Sequence, residues 1–184
     1  RRLGELGIEA IYTREPGGTQ LGEAIRELLL GHQHTGMADL TELLLVFAAR
    51  AEHLQQIIQP ALQAGQWVLC DRFTDATYAY QGGARGLGME AIGFLENFVQ
   101  QQFRPDLTLL LDLPVKQGMA RAGQRSAPDR FEKEQLDFFE KVRQTYLQRA
   151  EDEPSRIHVI NAGQDLPEVK LQIQRVIKDF LTKL

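Results

Sequence analysis

Four short β-type runs, separated by longer stretches of helical periodicity, constrain this chain more than any other feature. Ile8 to Thr13, Trp67 to Cys70, Leu107 to Leu111 and Ile157 to Ile160 read as strands. Leu107 to Leu111 is nearly unbroken, as expected of a strand covered on both faces. Helical patterns lie at Leu21 to Leu30, Glu90 to Gln101, Val115 to Ala122, Glu132 to Ala150 and Leu166 to Leu181. Asp39-Leu40-Thr41-Glu42 has the form of a capping box, opening a helix that runs to about Ala64 and stops at Gly65. Asp165 and Glu168 repeat that pattern on the last helix. Strand, helix, strand, helix in this order predicts an α/β fold with a parallel sheet and helices on both faces. Ligands of such sheets bind beyond the carboxyl ends of the strands.

No linker, repeat or low-complexity stretch divides the 184 residues, so a single domain over 1–184 is expected. The net charge of −4 makes no long-range field for nucleic acid, and there is no basic stripe. Any anion site must therefore be built locally from a few arginines. No apolar run approaches the roughly 20 residues of a membrane span. No signal-peptide pattern opens the sequence. Cys70 is the only cysteine, which excludes a disulfide within the chain and suits a small buried hydrophobe. A cytoplasmic enzyme fits this composition, as do many binding domains.

The chemistry is concentrated in short segments. Thr13-Arg14-Glu15-Pro16-Gly17-Gly18 and Asp71-Arg72-Phe73 each follow a strand. Phe47-Ala48-Ala49-Arg50 lies on a helix, and Ala79-Tyr80-Gln81-Gly82-Gly83 comes after Arg72. Together they offer cations for a phosphate, a ring to stack a base and a fork of donors for a base edge, which one nucleoside monophosphate would need at once. Taken singly each has a plainer reading: Arg14 as a solvated arginine, Phe47 as core, Asp71 and Arg72 as a structural pair. Phe47 and Arg50 are three residues apart and share a helix face, so they can address one ligand. An arginine on an apolar face needs a partner, and a pyrimidine carbonyl edge would supply one. A strand-end carboxylate and arginine, Asp71 and Arg72, can hold Mg²⁺-bound water and a phosphate. A further segment, Arg121 to Glu132, sets Arg121, Arg125 and Arg130 around a Gly/Ser/Pro-rich stretch between helices. Such a loop can close over a triphosphate and bring positive charge to the group in transfer.

Together and in this order, these segments closely resemble the bacterial thymidylate kinases, P-loop nucleoside monophosphate kinases, over essentially the whole chain. The resemblance implies a three-layer P-loop NTPase fold with parallel strand order 2-3-1-4-5. It implies phosphorylation of dTMP to dTDP with ATP and Mg²⁺, a step toward dTTP. By position, Arg14 and Arg72 would hold the dTMP phosphate, Phe47 would stack on thymine and Arg50 would bond its O4 edge. Thr77 and Gln81 would add polar contacts around the base. Tyr80 would pack where a ribose 2′-hydroxyl would sit, favouring deoxyribose. Asp71 would act near the metal and phosphates, and Glu132 matches a family acid close to the metal. Arg125 matches the lid arginine, with Arg121 and Arg130 beside it in a lid over about 121–131. A homodimer joined through helices that include the one carrying Phe47 is also implied, with no nucleic-acid or membrane partner.

The sequence departs from that pattern in one respect: no G-x-x-x-x-G-K-[ST] loop occurs in it. Arg1 to Leu6 reads as the last turns of a helix ended by Gly7. A helix entering the first strand normally follows an earlier strand, so the natural protein is expected to carry about 25–35 further residues ahead, one βα half-unit. The first strand and P-loop are then missing from this stretch, which is expected to be inactive without them. Ala76 stands where some relatives have Ser or Thr next to the pyrimidine. The competing readings are a kinase for another monophosphate and a nucleotide-binding regulatory protein that has lost catalysis. Phe47 and Arg50 argue against a purine site, and the lid arginines argue against lost catalysis.

Overall fold

The computed structural model describes residues 4, 7–122, 130–131 and 134–183. The chain divides into two compact units, Arg1–Gln102 and Phe103–Leu184. In the first, β1 (Ala10–Arg14) and β2 (Trp67–Asp71) pair in parallel, in register from Ala10 beside Trp67 to Arg14 beside Asp71. Parallel strands need a crossover. Here it consists of α1 (Gln20–Leu30), a 3₁₀ turn (His32–His34), α2 (Asp39–His53) and α3 (Gln59–Gln63). Thr19 caps α1 by accepting from the Gly22 N–H at 2.9 Å. Ile25 and Leu29 of α1 then bury against Val46 and Ala49 of α2.

Between α2 and α3 the helix widens to π geometry over Leu54–Ile58, where the Gln59 N–H reaches back to the Leu54 carbonyl. Pro60 accounts for the widening, because it has no N–H for the carbonyl four residues back and its ring crowds that carbonyl. Gly65, at φ 75°, ends the run as expected.

Asp39 does not cap α2. The cap position is Ala38, without a side-chain bond. The Asp39 carboxylate instead lies 3.5 Å from Arg85 Nε, and the fully buried Glu42 accepts from Gln81 Nε2 at 2.8 Å. Both acids are drawn to cationic and amide partners distant in sequence, which outcompete two backbone N–H groups.

After β2, α4 (Thr74–Thr77) runs into a second π stretch, Tyr78–Ala84, before α5 (Met89–Gln100). Two buried links fix this segment to α5: the Tyr78 hydroxyl to Glu96 at 2.7 Å and the Thr74 hydroxyl to Gln100 at 2.6 Å. Leu43, Phe47, Tyr78 and Ile92 form the core beneath it.

The second unit pairs β3 (Thr108–Asp112) with β4 (Ile157–Asn161), again in parallel. Its helices are α6 (Val115–Ala122), α7 (Leu136–Asp152) and α8 (Leu166–Leu181). Asp165 caps α8, accepting from the Glu168 N–H at 3.2 Å. The two strand pairs are the 2-3 and 4-5 neighbours of the expected order. Coverage of β3 on both faces is not observed: Leu111 is 52% and Val159 of β4 47% exposed, while Ile157 and Ile160 are buried. A continuous apolar run has no alternation to tell one face from the other, so periodicity does not report this. The expected start of α7 at Glu132, and the turns before Gly7 apart from helical Gly4, lie outside the described residues.

Candidate functional site

The register of the first unit brings two of the segments together. Arg14 and Asp71 end neighbouring strands side by side, and the Glu15 N–H continues the ladder to the Asp71 carbonyl at 2.9 Å. The Pro16-Gly17-Gly18 turn is strapped onto α1. Arg26 donates to the Pro16 carbonyl at 2.9 Å, and Glu23 accepts from the Gly18 N–H at 2.9 Å and from half-exposed Arg14 at 2.9 Å. The Gly18 N–H, and after it Arg14, hold the Glu23 carboxyl below the usual carboxylate range. That contribution is fully present above the unfolded value and is lost as pH falls through the folded one.

Gly18 sits at φ 84°, and a Cβ there would come within 2.6 Å of the His53 ring and 2.7 Å of the Thr13 hydroxyl. Gly18→Ala is therefore expected to cost about 1–3 kcal/mol, from backbone strain and displacement of His53. Urea denaturation checks this, and an unchanged midpoint would contradict the close approach.

Beneath the turn lies a buried polar network. Arg50, 1% exposed, donates from Nε to Glu15 Oε2 at 2.8 Å and from Nη2 to the Thr77 hydroxyl at 2.9 Å. Its guanidinium carbon lies 4.8 Å from the Phe47 ring centroid and 5.1 Å from that of Phe73. The other Glu15 oxygen is 3.1 Å from His53 Nδ1, and His53 Nε2 is 2.6 Å from the Thr13 hydroxyl. Arg50 Nη1 is the one buried side-chain nitrogen or oxygen without a hydrogen-bond partner among the described residues. Arg50 thus touches both Phe47 and Thr77. Phe47 also belongs to the core, packing in one cluster with Leu43, Tyr78 and Ile92.

Glu15 and His53 were not anticipated. Two signals pointed to them: a buried arginine requires a carboxylate, and His53 lies three residues beyond Arg50 on the same helix face.

Arg72 has φ 64°, a left-handed conformation rare for a side chain of this size, and its guanidinium carbon lies 4.8 Å from the Tyr80 ring centroid. The Cys70 thiol donates to the Arg72 carbonyl at 3.0 Å, which helps hold that turn. Burial, and after it the Glu15 charge, push the thiol pKa up, so Cys70 is a poor nucleophile. Gln81 is buried and its amide is oriented by Glu42, a second residue that local reading assigned elsewhere.

In the second unit Arg121 donates to the Ala162 carbonyl at 2.9 Å, and the Arg130 guanidinium carbon lies 4.5 Å from the Phe131 ring centroid. Arg125 and Glu132 lie outside the described residues. Asp112, at the end of β3, forms a two-pronged pair with Arg143 at 2.7 and 2.9 Å, which was not foreseen. No group of three or more His, Cys, Asp or Glu side chains among the described residues is placed to hold a metal ion. Mg²⁺ commonly takes only one or two protein carboxylates, with substrate phosphates and water completing its shell. The exposed strand-end Asp71 fits that mode.

A family model for thymidylate kinase matches residues 1–173. The thymidylate kinase of Ectopseudomonas mendocina is 59% identical over 180 residues, covering 98% of this chain and 86% of that protein. That of Pseudomonas putida is 58% identical over 182 residues, covering 99% of this chain and 87% of that protein. The crystal structure of thymidylate kinase from Ehrlichia chaffeensis matches with a TM-score of 0.73 at 34% identity, over 92% of this chain and 80% of that one. These likenesses carry the P-loop NTPase α/β fold with them, in agreement with the two parallel strand pairs and their helices. On this evidence the chain belongs to the thymidylate kinase family.

Proposed function

We infer that the first unit is the dTMP-binding half of the enzyme, serving the family's phosphorylation of dTMP to dTDP with ATP as donor. One observation carries the assignment: a fully buried arginine, pinned by Glu15 and Thr77, keeps one nitrogen without a partner next to the Phe47 ring. A pyrimidine stacked on Phe47 would give that nitrogen an acceptor in its C4 oxygen. Thr77 and Gln81 would border the base. Tyr80 would pack against the sugar, where a 2′-hydroxyl would crowd it.

Arg14 and Arg72, each at a strand end, would hold the dTMP phosphate. In an in-line transfer an oxygen of that phosphate bonds to the γ-phosphorus as the bond to the bridging oxygen of ADP breaks. Charge then gathers on the transferring group, and fixed cations lower the barrier by meeting it there. Arg121, Arg125 and Arg130 would supply such charge from the lid side. Asp71, with Glu132, would hold Mg²⁺, which neutralises phosphate charge when bound.

Both units would serve one kinase domain in the cytoplasm. No helix among the described residues is long and apolar enough to cross a membrane. A homodimer through α2 is supported by Leu40 and Leu44, 57% and 50% exposed and one turn apart on that helix. Phe94 and Phe98 repeat the spacing on α5, at 71% and 78%.

The test is ADP release by the full natural chain with ATP-Mg²⁺ and dTMP, dUMP, dCMP, dGMP or AMP. Preference for dTMP is expected. Turnover of a purine monophosphate would overturn the base assignment, and no turnover at all would point to a binding protein. Phe47→Leu is the better probe of stacking, because alanine would also open a core cavity. It is expected to raise the KM for dTMP by about tenfold and leave that for ATP nearly unchanged. Equal effects on both substrates would give Phe47 a packing role only.

A further inference from the structure

We propose that Glu15 and His53 are positioning residues for base recognition: they divide one carboxylate between two partners so that Arg50 keeps a nitrogen for the nucleotide. The proposal rests on the reading of the Arg50–Phe47 pocket as the base site.

An arginine beside a carboxylate ordinarily takes both oxygens, in two parallel bonds. That is not what happens here. Glu15 gives Oε2 to Arg50 Nε at 2.8 Å, while Oε1 lies 3.1 Å from His53 Nδ1. Arg50 Nη2 goes to Thr77 instead, and Nη1 is left with no partner. Every group in this set is buried or nearly so, with Arg50 1%, His53 0% and Glu15 4% exposed. In such a place an unmatched donor is costly unless something else binds to it.

His53 is held in turn. Its Nε2 lies 2.6 Å from the Thr13 hydroxyl, and the close approach of Gly18 closes off the ring. The tautomer with hydrogen on Nδ1 satisfies the whole chain: the Thr13 hydroxyl donates to Nε2, and Nδ1–H donates to Glu15. The path runs from the end of β1 through a helix side chain to the guanidinium. It fixes the plane of Arg50 and the direction in which Nη1 points.

A guanidinium only donates. Held in one direction, it accepts a base with an oxygen at C4 and rejects one with an amino group there. A loose Arg50 would swing back onto both Glu15 oxygens, and that discrimination would fade.

The experiment measures kcat and KM for dTMP, dCMP and ATP in the full natural enzyme and in Glu15→Gln, His53→Leu, His53→Asn, Thr13→Val and Arg50→Lys, with thermal unfolding of each. Glu15→Gln and His53→Leu are expected to raise the KM for dTMP about tenfold with little change in kcat or in the KM for ATP. Their preference for dTMP over dCMP should fall with it. His53→Asn, whose amide can still donate to Glu15, should recover part of the loss.

If Arg50→Lys loses the preference while Glu15→Gln and His53→Leu keep it, the positioning proposal is overturned and the base site stands. If Arg50→Lys keeps the preference, the base-site reading fails and the proposal with it. Should the two central variants not fold, Thr13→Val decides, since it only removes the hydroxyl that holds His53. A drop of about threefold in preference is expected there, and an unchanged preference overturns the relay.

Discussion

Glu15→Ala is expected to destabilise the protein by about 3–5 kcal/mol, because it strands the Arg50 charge in a site with almost no solvent. The two side chains are 1% and 4% exposed and 2.8 Å apart, so water cannot replace the lost partner. His53 loses its acceptor in the same step. For a chain of this size the loss corresponds to a fall in Tm of roughly 6–20 °C. Replacing both members, as in Glu15→Leu with Arg50→Met, should recover most of the stability, since a pair of apolar groups leaves no charge to satisfy. The double variant should nonetheless fail to bind dTMP tightly. Urea melts of the three proteins check the expectation. A loss below about 1 kcal/mol for Glu15→Ala would place this pair among surface-like ion pairs and contradict its burial.

Arg72→Ala should lower kcat by about 10²–10³-fold, the scale seen when one preorganised donor to developing charge is removed. Stability should change little, because the side chain is exposed and the left-handed backbone is strained for alanine and arginine alike. Arg72→Gly provides the control: it relieves the strain at φ 64° and should hold or raise the melting temperature while losing the same activity. Arg72→Lys should recover only part, since a point charge cannot stack on Tyr80 and offer two parallel donors at once. Single-turnover rates at saturating ATP and dTMP separate the phosphate role from binding. A kcat/KM like that of the unaltered protein in Arg72→Ala would remove Arg72 from the phosphate site.

Much of the local architecture was legible from composition along the chain. The four runs read as strands are the four strands, each displaced by one residue at its carboxyl end. Val115–Ala122 and Leu166–Leu181 are the helices that periodicity indicated, Asp165 caps the last of them and Gly65 stops another. These features depend on neighbours within a turn of helix or a step of strand, where side-chain period and backbone preference act directly. The placement of Arg14 and Asp71 at strand ends, and of Arg72 just past one, follows from the same local logic.

The links within the site do not. Glu15 and Arg50 are 35 residues apart, Thr13 and His53 are 40, and Glu42 and Gln81 are 39. No periodicity connects such positions, so the acid that holds Arg50 stayed hidden although its segment had been singled out. Asp39 and Glu42 show the opposite case: a local cap pattern was present, and distant cationic and amide groups overruled it. The π stretches at Leu54–Ile58 and Tyr78–Ala84 likewise answer to Pro60 and to the contacts of Tyr78 and Thr74 with α5 rather than to residue preference. Short-range chemistry was enough to name the elements and the residues that carry charge. Which carboxylate meets which arginine, and which nitrogen is left without a partner, was settled by burial, where every charge must find a partner among whatever the fold brings near it.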